Sequence, residues 1–343
     1  MRRAASGVFL VLFLAMSSPV WACGGLVAPN GSVNLLRTST LAGYHNGVEH
    51  YITSFEFVGG GAKFGSIVPL PARPKFVTRG GEWTLQRLAQ EVQPPPPAPA
   101  DGVVGQSAAG SAKVIEERRI DGLLITILRG GSRGVGKWAK EEGFSLPPDA
   151  PEVLHFYSQR SRYFMAARFI PDRARKKKLR EGDGIPIHLR IPTDNPWVPL
   201  RILGLGKQQQ ELIDADVFLL NDIEPALLPK PASAGERGMS LERSEQASQA
   251  LLNDLGSDKG MKWIQEEAGM WLTYLNLDID AGDLTYDLAV DQTGNGQPSA
   301  EDAFGKRVDN STQRDSSVWG WFVVPLVGAT GVRLVRRRVM PRR

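Results

Sequence analysis

Alternation of apolar and polar residues predicts strands at three places in the chain. The pattern runs over residues 50–57, 185–191 and 284–290, where every second side chain is mostly apolar or aromatic. A period of two is typical of a strand that buries one face and exposes the other. The half-exposed faces of these predicted strands carry His50, His188 and Asp287.

Apolar residues three or four positions apart predict short helices between the strands. Such spacing occurs over residues 85–92, over 135–139 and over 248–255, where Gly256 would follow as a C-cap. Asp149 and Glu152 have the spacing of a capping box, which predicts the start of a further short helix.

The predicted strands come in pairs before a helix recurs, without the strict alternation of a parallel sheet. The expected fold class is therefore α+β, with mixed, mostly antiparallel sheets and short interspersed helices. Three polar stretches interrupt the pattern, at residues 93–113, 172–184 and 230–245. The first holds four consecutive prolines followed by small residues and is predicted to be a disordered insertion, and the others are predicted to be loops.

The two ends of the chain predict export and membrane anchoring. Residues 1–22 read as a signal peptide, with two arginines, an apolar core and a compact cleavage site ending at Ala22. Residues 318–335 predict a transmembrane helix of about 27 Å, close to the thickness of the hydrocarbon core. The basic tail, residues 336–343, then lies in the cytoplasm by the positive-inside rule. The alternatives are a loose apolar tail and a C-terminal segment that is removed after export.

The expected location is thus the cytoplasmic membrane, with a single pass and the body, residues 23–317, on the extracytoplasmic side. The net charge of +4 does not describe this body, because all eight charged residues in 1–22 and 318–343 are arginines. Without them, 33 Lys and Arg stand against 37 Asp and Glu, which gives the body a net charge of −4. A nucleic-acid-binding domain needs a basic face. We expect no nucleic-acid partner; the expected partners are the membrane and an unknown envelope protein or polymer.

The only cysteine, Cys23, directly follows the predicted cleavage site. An intramolecular disulfide is therefore impossible, and the body must depend on an ordinary hydrophobic core. An N-terminal cysteine is also the acylated residue of bacterial lipoproteins, but Trp21 is bulky for that signal. Cleavage without lipidation is predicted.

A glycine-rich turn between a predicted strand and a predicted helix contains two motifs. Gly131, Gly136 and Lys137 have the spacing of a phosphate-binding P-loop, but Trp138 replaces the Ser or Thr that would hold Mg²⁺. The P-loop is therefore rejected. Residues 130–134 match the nucleophile elbow of serine hydrolases, with Ser132 as the nucleophile.

The elbow requires a histidine base further along the chain, and only His155 and His188 follow Ser132. The interval from Ser132 to these histidines is short for a serine hydrolase of this kind. The simpler interpretation is that the glycines permit a turn and that Ser132 starts the helix that buries Trp138.

Two further patterns resemble metal sites. Residues 291–302 place Asp291 and Asp302 at the first and twelfth positions of an EF-hand-like calcium loop, but Pro298 falls where that loop needs an apolar residue. A plain turn is the favoured interpretation. His45 and His50 lack a third ligand for zinc and are expected to be surface residues. The sequence thus predicts no catalytic residue, metal ligand or cofactor.

Several sequence blocks in a fixed order carry a family resemblance. They include SFEFVGGGAKFGSIVPLP, ITILRGGSRGVGKWAKEEGFSLPPDAPEVLHFY and NPWVPLRILGLG, within a match from Cys23 to about Asp222. The chain resembles the bacterial family known as domain of unknown function 2330. The resemblance implies an exported bacterial protein, in some members with a C-terminal anchor, and implies no activity, ligand or catalytic residue.

Two functions are compatible with the sequence. The favoured one is a membrane-anchored, non-enzymatic binding or structural module of the cell envelope. The alternative is an envelope serine hydrolase that uses Ser132. Hydrogen bonding between Ser132 and a histidine would separate them.

The anchor prediction can be tested by truncation at Ser317. We expect the full chain to stay in the membrane pellet after carbonate extraction, because an apolar segment followed by arginines resists translocation. The truncated chain should be released as soluble protein. Full-length protein with an intact C-terminus in the soluble fraction would contradict the prediction.

Overall fold

The computed structural model describes residues 38–55, 65–92, 114–176, 184–264 and 269–305, together with the short strands 26–27, 34–35 and 57–58. The predicted signal peptide, the insertion 93–113, the transmembrane segment 318–335 and the basic tail lie outside the described residues, as does Cys23.

The strands of the described residues are β1 Leu26–Val27, β2 Asn34–Leu35, β3 Thr38–His45, β4 Val48–Phe55, β5 Phe57–Val58, β6 Gly65–Leu70, β7 Phe76–Arg79, β8 Val114–Ile120, β9 Leu123–Arg129, β10 Tyr163–Phe169, β11 Ile185–Pro192, β12 Trp197–Val198, β13 Leu212–Asn221, β14 Ala226–Leu228, β15 Gly238–Gln246, β16 Trp271–Asp280 and β17 Leu288–Asp291. The helices are α1 Thr84–Val92, α2 Ser132–Glu141, α3 Ala150–Ser158, α4 Pro171–Lys176, α5 Gln249–Ser257 and α6 Ala300–Phe304, with a 3₁₀ turn at Arg201–Gly204.

The larger sheet has seven strands in the order β15-β16-β13-β3-β4-β11-β7, and a second sheet has five in the order β1-β6-β10-β9-β8. Strands β12, β17 and β14 form a third sheet, and β2 pairs with β5. Among the described strands, β3 and β13 pair in parallel and the other pairs are antiparallel. The prediction of an α+β fold with mostly antiparallel sheets is confirmed. No helix in the described part of the chain has both the length and the apolar character needed to cross a bilayer.

The seven-stranded sheet is covered on both faces, because alternate residues of its strands enter two different cores. One core includes Tyr51, Val217 and Leu275 and joins this sheet to the five-stranded sheet, α2 and α3. The other includes Ile52 and Phe218 and is closed by α1 and α5. The apolar positions predicted for these helices are the ones that pack, since the buried positions include Leu85, Leu88, Val135, Trp138, Leu251 and Leu255.

The expectation of half-buried strands is wrong. His50, His188 and Asp287 are 6%, 2% and 0% exposed. Strand β17 is shorter than predicted, and all four of its residues are buried. Each of these polar residues has a specific polar partner from a distant part of the chain, and alternation along one strand cannot reveal that partner.

Two predicted helix ends differ from the structure. Ser248 caps α5 by accepting the N–H of Leu251 at 3.1 Å, but the helix continues past Gly256 to Ser257. Asp149 precedes α3 without capping it through its side chain and instead accepts the N–H of Gly206 at 3.0 Å. The capping-box prediction is therefore wrong, although the helix is present.

Two predicted loops contain regular structure. The stretch 172–184 begins inside α4, and 230–245 contains most of β15, an edge strand of the large sheet. The second half of β15 carries three charged residues, Glu242, Arg243 and Glu245, and charged side chains are usual on an edge strand that must avoid pairing with other chains.

A buried ion pair ties α3 to the third sheet. The Arg160 guanidinium and the Asp287 carboxylate form a salt bridge with side chains only 1% and 0% exposed. Asp287 also accepts the Tyr157 hydroxyl and the N–H of Leu200 at 2.8 Å, and the N–H of Arg201 at 2.9 Å. Four donors from two segments of the chain, at residues 157–160 and 200–201, thus meet at one carboxylate.

Aromatic rings enclose the arginine of this pair. The guanidinium carbon of Arg160 lies 4.2 Å from the ring centroid of Phe156, 4.6 Å from that of Trp197 and 5.0 Å from that of Tyr157. Arg160 also donates to the carbonyl of Asp302 in α6. Cation–π contacts and hydrogen bonds together offset the cost of burying the charge.

Replacing Asp287 with Asn should therefore lower the free energy of unfolding by about 3–5 kcal/mol, because it leaves the Arg160 charge buried without a counter-ion. The matched control is Asp283→Asn, an exposed aspartate four residues earlier, for which a change within about 0.5 kcal/mol is expected. Chemical denaturation of both variants provides the measurement. Equal stability of the two variants would show that the ion pair does not support the fold.

Candidate functional site

A cleft of about 700 Å³ opens where β9 ends and α2 begins. Its wall consists of the turn after β9, the first turn of α2, and the segment between the end of α3 and β10. The lining residues are Arg129, Gly130, Gly131, Ser132, Arg133, Gly134, His155, Ser158, Gln159 and Arg162. We call this the arginine cleft. Its described lining has no apolar side chain and no carboxylate.

Strand pairing sets the position of the arginines. Arg129 is the last residue of β9 and lies opposite Tyr163 of β10. The N–H of Gly130 donates to the carbonyl of Arg162 at 2.9 Å. This bond continues the strand pairing by one step, so Arg129 and Arg162 are neighbours although 33 positions separate them.

The first turn of α2 supplies backbone donors. Gly131 is the N-cap residue in extended conformation, and no side chain caps the helix. The first N–H groups of a helix have no partner inside it, and in the described part of the chain those of Ser132 and Arg133 have no other acceptor. The positive end of the α2 dipole is therefore at the cleft.

Three guanidinium groups lie on the wall, from Arg129, Arg133 and Arg162, and all three residues are exposed. Within the described residues none of them has a carboxylate partner, whereas many other arginines do. The cleft is a local concentration of positive charge.

Ser132 shares this cleft with His155, but the two residues do not form a nucleophile–base pair. In the part of the chain that the structure describes, no hydrogen bond joins them, and no carboxylate orients the His155 ring. A nucleophile elbow also holds its serine in a strained turn, whereas the described non-glycine residues with positive φ are Asn46 and Asp121. Ser132 starts α2, as the simpler interpretation predicts, but the turn does not depend on glycine as that interpretation expects, because Gly130, Gly131 and Gly134 lack a positive φ.

Comparison with known proteins places the chain in a family. A family model matches residues 18–288 and is described as an uncharacterized protein conserved in bacteria, DUF2330. The chain belongs to this family. The match confirms the resemblance seen in the sequence and extends past Asp222 to the start of β17. The family description assigns no activity to the arginine cleft or to any other site.

No curated protein is significantly similar to the chain. Among solved structures, baculovirus P35 is similar, with 11% identity, a TM-score of 0.39, and coverage of 76% of this chain and 97% of that chain. A chain of the caspase-8/P35 complex gives 9% identity, a TM-score of 0.38, and coverage of 75% and 96%. These TM-scores are too low to transfer a fold or an activity.

The other motifs of the DUF2330 chain have structural roles. In the rejected P-loop motif, α2 begins at Ser132 and Lys137 pairs with Glu141 at 3.3 Å. The Asp291 carboxylate accepts the N–H groups of Thr293 and Gln297 at 2.9 and 3.1 Å. It thereby stabilises the turn expected here, and no group of three or more His, Cys, Asp or Glu residues with metal-binding geometry is present in the described part of the chain.

Of the two histidines expected at the surface, one differs from expectation. His45 is partly exposed and contacts Asp222 at 2.8 Å. His50, expected at the surface, is buried, and its Nδ1 lies 3.1 Å from Nε2 of His188. The His50 ring stacks on Trp263 with a centroid distance of 4.1 Å. These two histidines belong to the packing between the large sheet and the segment after α5.

Burial keeps this histidine pair neutral. Desolvation is the largest cause that lowers the pKa of His50 to about 3, with smaller effects of His188 and Arg190. Desolvation, followed by Arg190, lowers the pKa of His188 to about 4. The N–H of one imidazole donates a hydrogen bond to the bare ring nitrogen of the other, so neither ring needs to be charged.

The sequence pointed to His155 as one of two histidines that could serve Ser132, but it did not indicate Arg162 as a residue of the arginine cleft. The local signal was a glycine-rich turn with an arginine on each side of Ser132. Arg162 carries no such signal, because only the antiparallel register of β9 and β10 brings it to the turn.

The histidine pair predicts a loss of stability in acid. The pKa values of both histidines are lower in the folded state than the ordinary value of 6.5, which applies to the unfolded chain. As the pH falls below 6.5, the unfolded chain therefore binds protons before the folded protein does. The stability that is present above pH 6.5 is lost as the pH falls toward 4. Between pH 7.5 and 5, the free energy of unfolding of the wild type should fall by about 2 kcal/mol or more relative to that of the double variant His50→Gln, His188→Gln.

The comparison between variants removes the contributions of other groups, such as Glu49, where burial raises the pKa to about 8 and acts in the opposite direction. The exposed His155→Gln provides the control and should keep the wild-type pH dependence. Parallel curves for the wild type and the double variant would contradict the prediction.

Proposed function

We propose that this protein is an exported, membrane-anchored protein of the bacterial cell envelope and that its body is a non-enzymatic binding module. The observation that supports binding is the arginine cleft, with three guanidinium groups that have no carboxylate partner in the described residues. The anchor and the export rest on the sequence of residues 1–22 and 318–335. The family, conserved in bacteria, supports the bacterial assignment.

The chemistry of the arginine cleft favours binding over catalysis. An activated serine needs a base within hydrogen-bond reach and a third group that orients the base. Ser132 has neither contact in the described structure. Arginine instead presents fixed donors that suit recognition of anionic groups.

The second candidate is a serine hydrolase, and the observation in its favour is that His155 lines the same cleft as Ser132. Catalytic hydrogen bonds are often long before substrate binds. The two candidates therefore differ in whether Ser132 is chemically activated.

A fluorophosphonate probe separates the two candidates, because it reacts with activated serines. We expect the full-length protein to remain unlabelled under conditions that label a known serine hydrolase. Ser132→Ala serves as the matched control. Labelling of the wild type that disappears in Ser132→Ala would favour the hydrolase and contradict the binding-module proposal.

A further inference from the structure

We propose that the arginine cleft binds a phosphate group carried on a larger molecule. This inference rests on the proposed binding function and names the chemistry of its ligand. It depends on three observations: arginines without a carboxylate partner in the described residues, the backbone donors of α2, and glycines that the fold itself does not require.

The arginines select an oxyanion. Arg129, Arg133 and Arg162 come from a strand end, a helix start and a connecting segment, yet all three line one cleft without a carboxylate among its described residues. Planar guanidinium groups bind phosphate and carboxylate oxygens through paired hydrogen bonds. Three positive groups exceed what one carboxylate can balance, and they suit a phosphate with several terminal oxygens.

The glycines keep the backbone donors accessible. A Cβ added at Gly131 or Gly134 would have no atom within 4 Å, and one at Gly130 would meet only the Gly134 Cα at 3.8 Å. None of the three has a positive φ. Neither packing nor backbone conformation therefore explains the missing side chains.

Gly134 lies in the first turn of α2, where glycine is a poorer helix former than alanine. A side chain there would project into the open space of the cleft. Glycine at such a position is explained by close approach of a ligand to the backbone. The uncapped N–H groups of Ser132 and Arg133 would then donate to the phosphate oxygens.

The size of the cleft indicates that the phosphate is part of a larger molecule. Ligand pockets typically enclose roughly 300–1,000 Å³, and the arginine cleft, with about 700 Å³, is in that range. His155, Ser158 and Gln159 on the α3 side remain available for polar groups next to the phosphate.

The test uses full-length protein in a non-ionic detergent and isothermal titration with three phosphate compounds: inorganic phosphate, glycerol 3-phosphate and short-chain phosphatidylglycerol. Saturable binding of glycerol 3-phosphate or of phosphatidylglycerol is expected, tighter than that of inorganic phosphate, and binding of inorganic phosphate alone would overturn the assignment to a larger molecule. The first two represent a free phosphate source and the third a lipid source, so the pattern of binding identifies the source. Binding of none of them, or equally tight binding of acetate, would overturn the inference.

Arginine variants test the site. Arg162→Gln and Arg133→Gln should each weaken phosphate binding about tenfold or more, as expected for loss of a charge-assisted hydrogen bond. Lys140→Gln removes the same charge at the other end of α2 and should leave affinity unchanged. Equal affinities of the arginine and lysine variants would overturn the site assignment.

A glycine pair separates binding from folding. Gly134→Ala should raise the melting temperature through helix propensity and still weaken phosphate binding several-fold. Gly136→Ala makes the same change two residues along α2, where the new Cβ would make an ordinary contact with Leu146 at 3.4 Å. It should leave binding unchanged, and equal binding by the two variants would overturn the role of Gly134.

Absence of phosphate binding together with an unlabelled Ser132 would overturn this inference alone, whereas labelling of Ser132 would overturn the proposed function.

Discussion

The buried ion pair between Arg160 and Asp287 holds together parts of the chain that are far apart in sequence. Its carboxylate fixes the start of the 3₁₀ turn through Leu200 and Arg201, and its guanidinium reaches α6. Arg160 follows α3 directly, between Gln159 and Arg162 of the arginine cleft. One side of the cleft is therefore positioned by a charge pair that must stay intact, because either partner alone would be a buried, uncompensated charge.

Much of the secondary structure could be predicted because it depends on local spacing. Leu88 and Trp138 mark helix faces by their distance from other apolar residues, and these faces pack as expected. Burial of polar residues could not be predicted in the same way. His188 needs His50, which is 138 positions away, and Asp287 needs Arg160, 127 positions away. Alternation describes one strand, whereas a sheet covered on both faces is a property of the whole fold.

The candidate site could be predicted only in part for the same reason. The strand, the glycine-rich turn and the helix around Ser132 are contiguous in sequence, so the motif and its two interpretations were visible. The decisive facts are not local. The unstrained backbone of Ser132 and the arrival of Arg162 through the β9–β10 register appear only in three dimensions. A motif therefore identifies where chemistry is possible, and the neighbours decide which chemistry.

The arginine cleft combines several features that a fold optimised for stability alone would avoid. Like charges on one wall repel one another, an uncapped helix start leaves donors unsatisfied, and Gly134 weakens α2 at a position where a methyl group would fit. These costs concentrate in one place, next to segments held by the Arg160–Asp287 pair. Functional sites characteristically contain residues that cost stability locally, within a fold whose other residues favour it. Residues 23–317 together have a net charge of −4, so attraction of an anion to the arginine cleft must come from short-range contacts within the cleft and not from the overall charge of these residues.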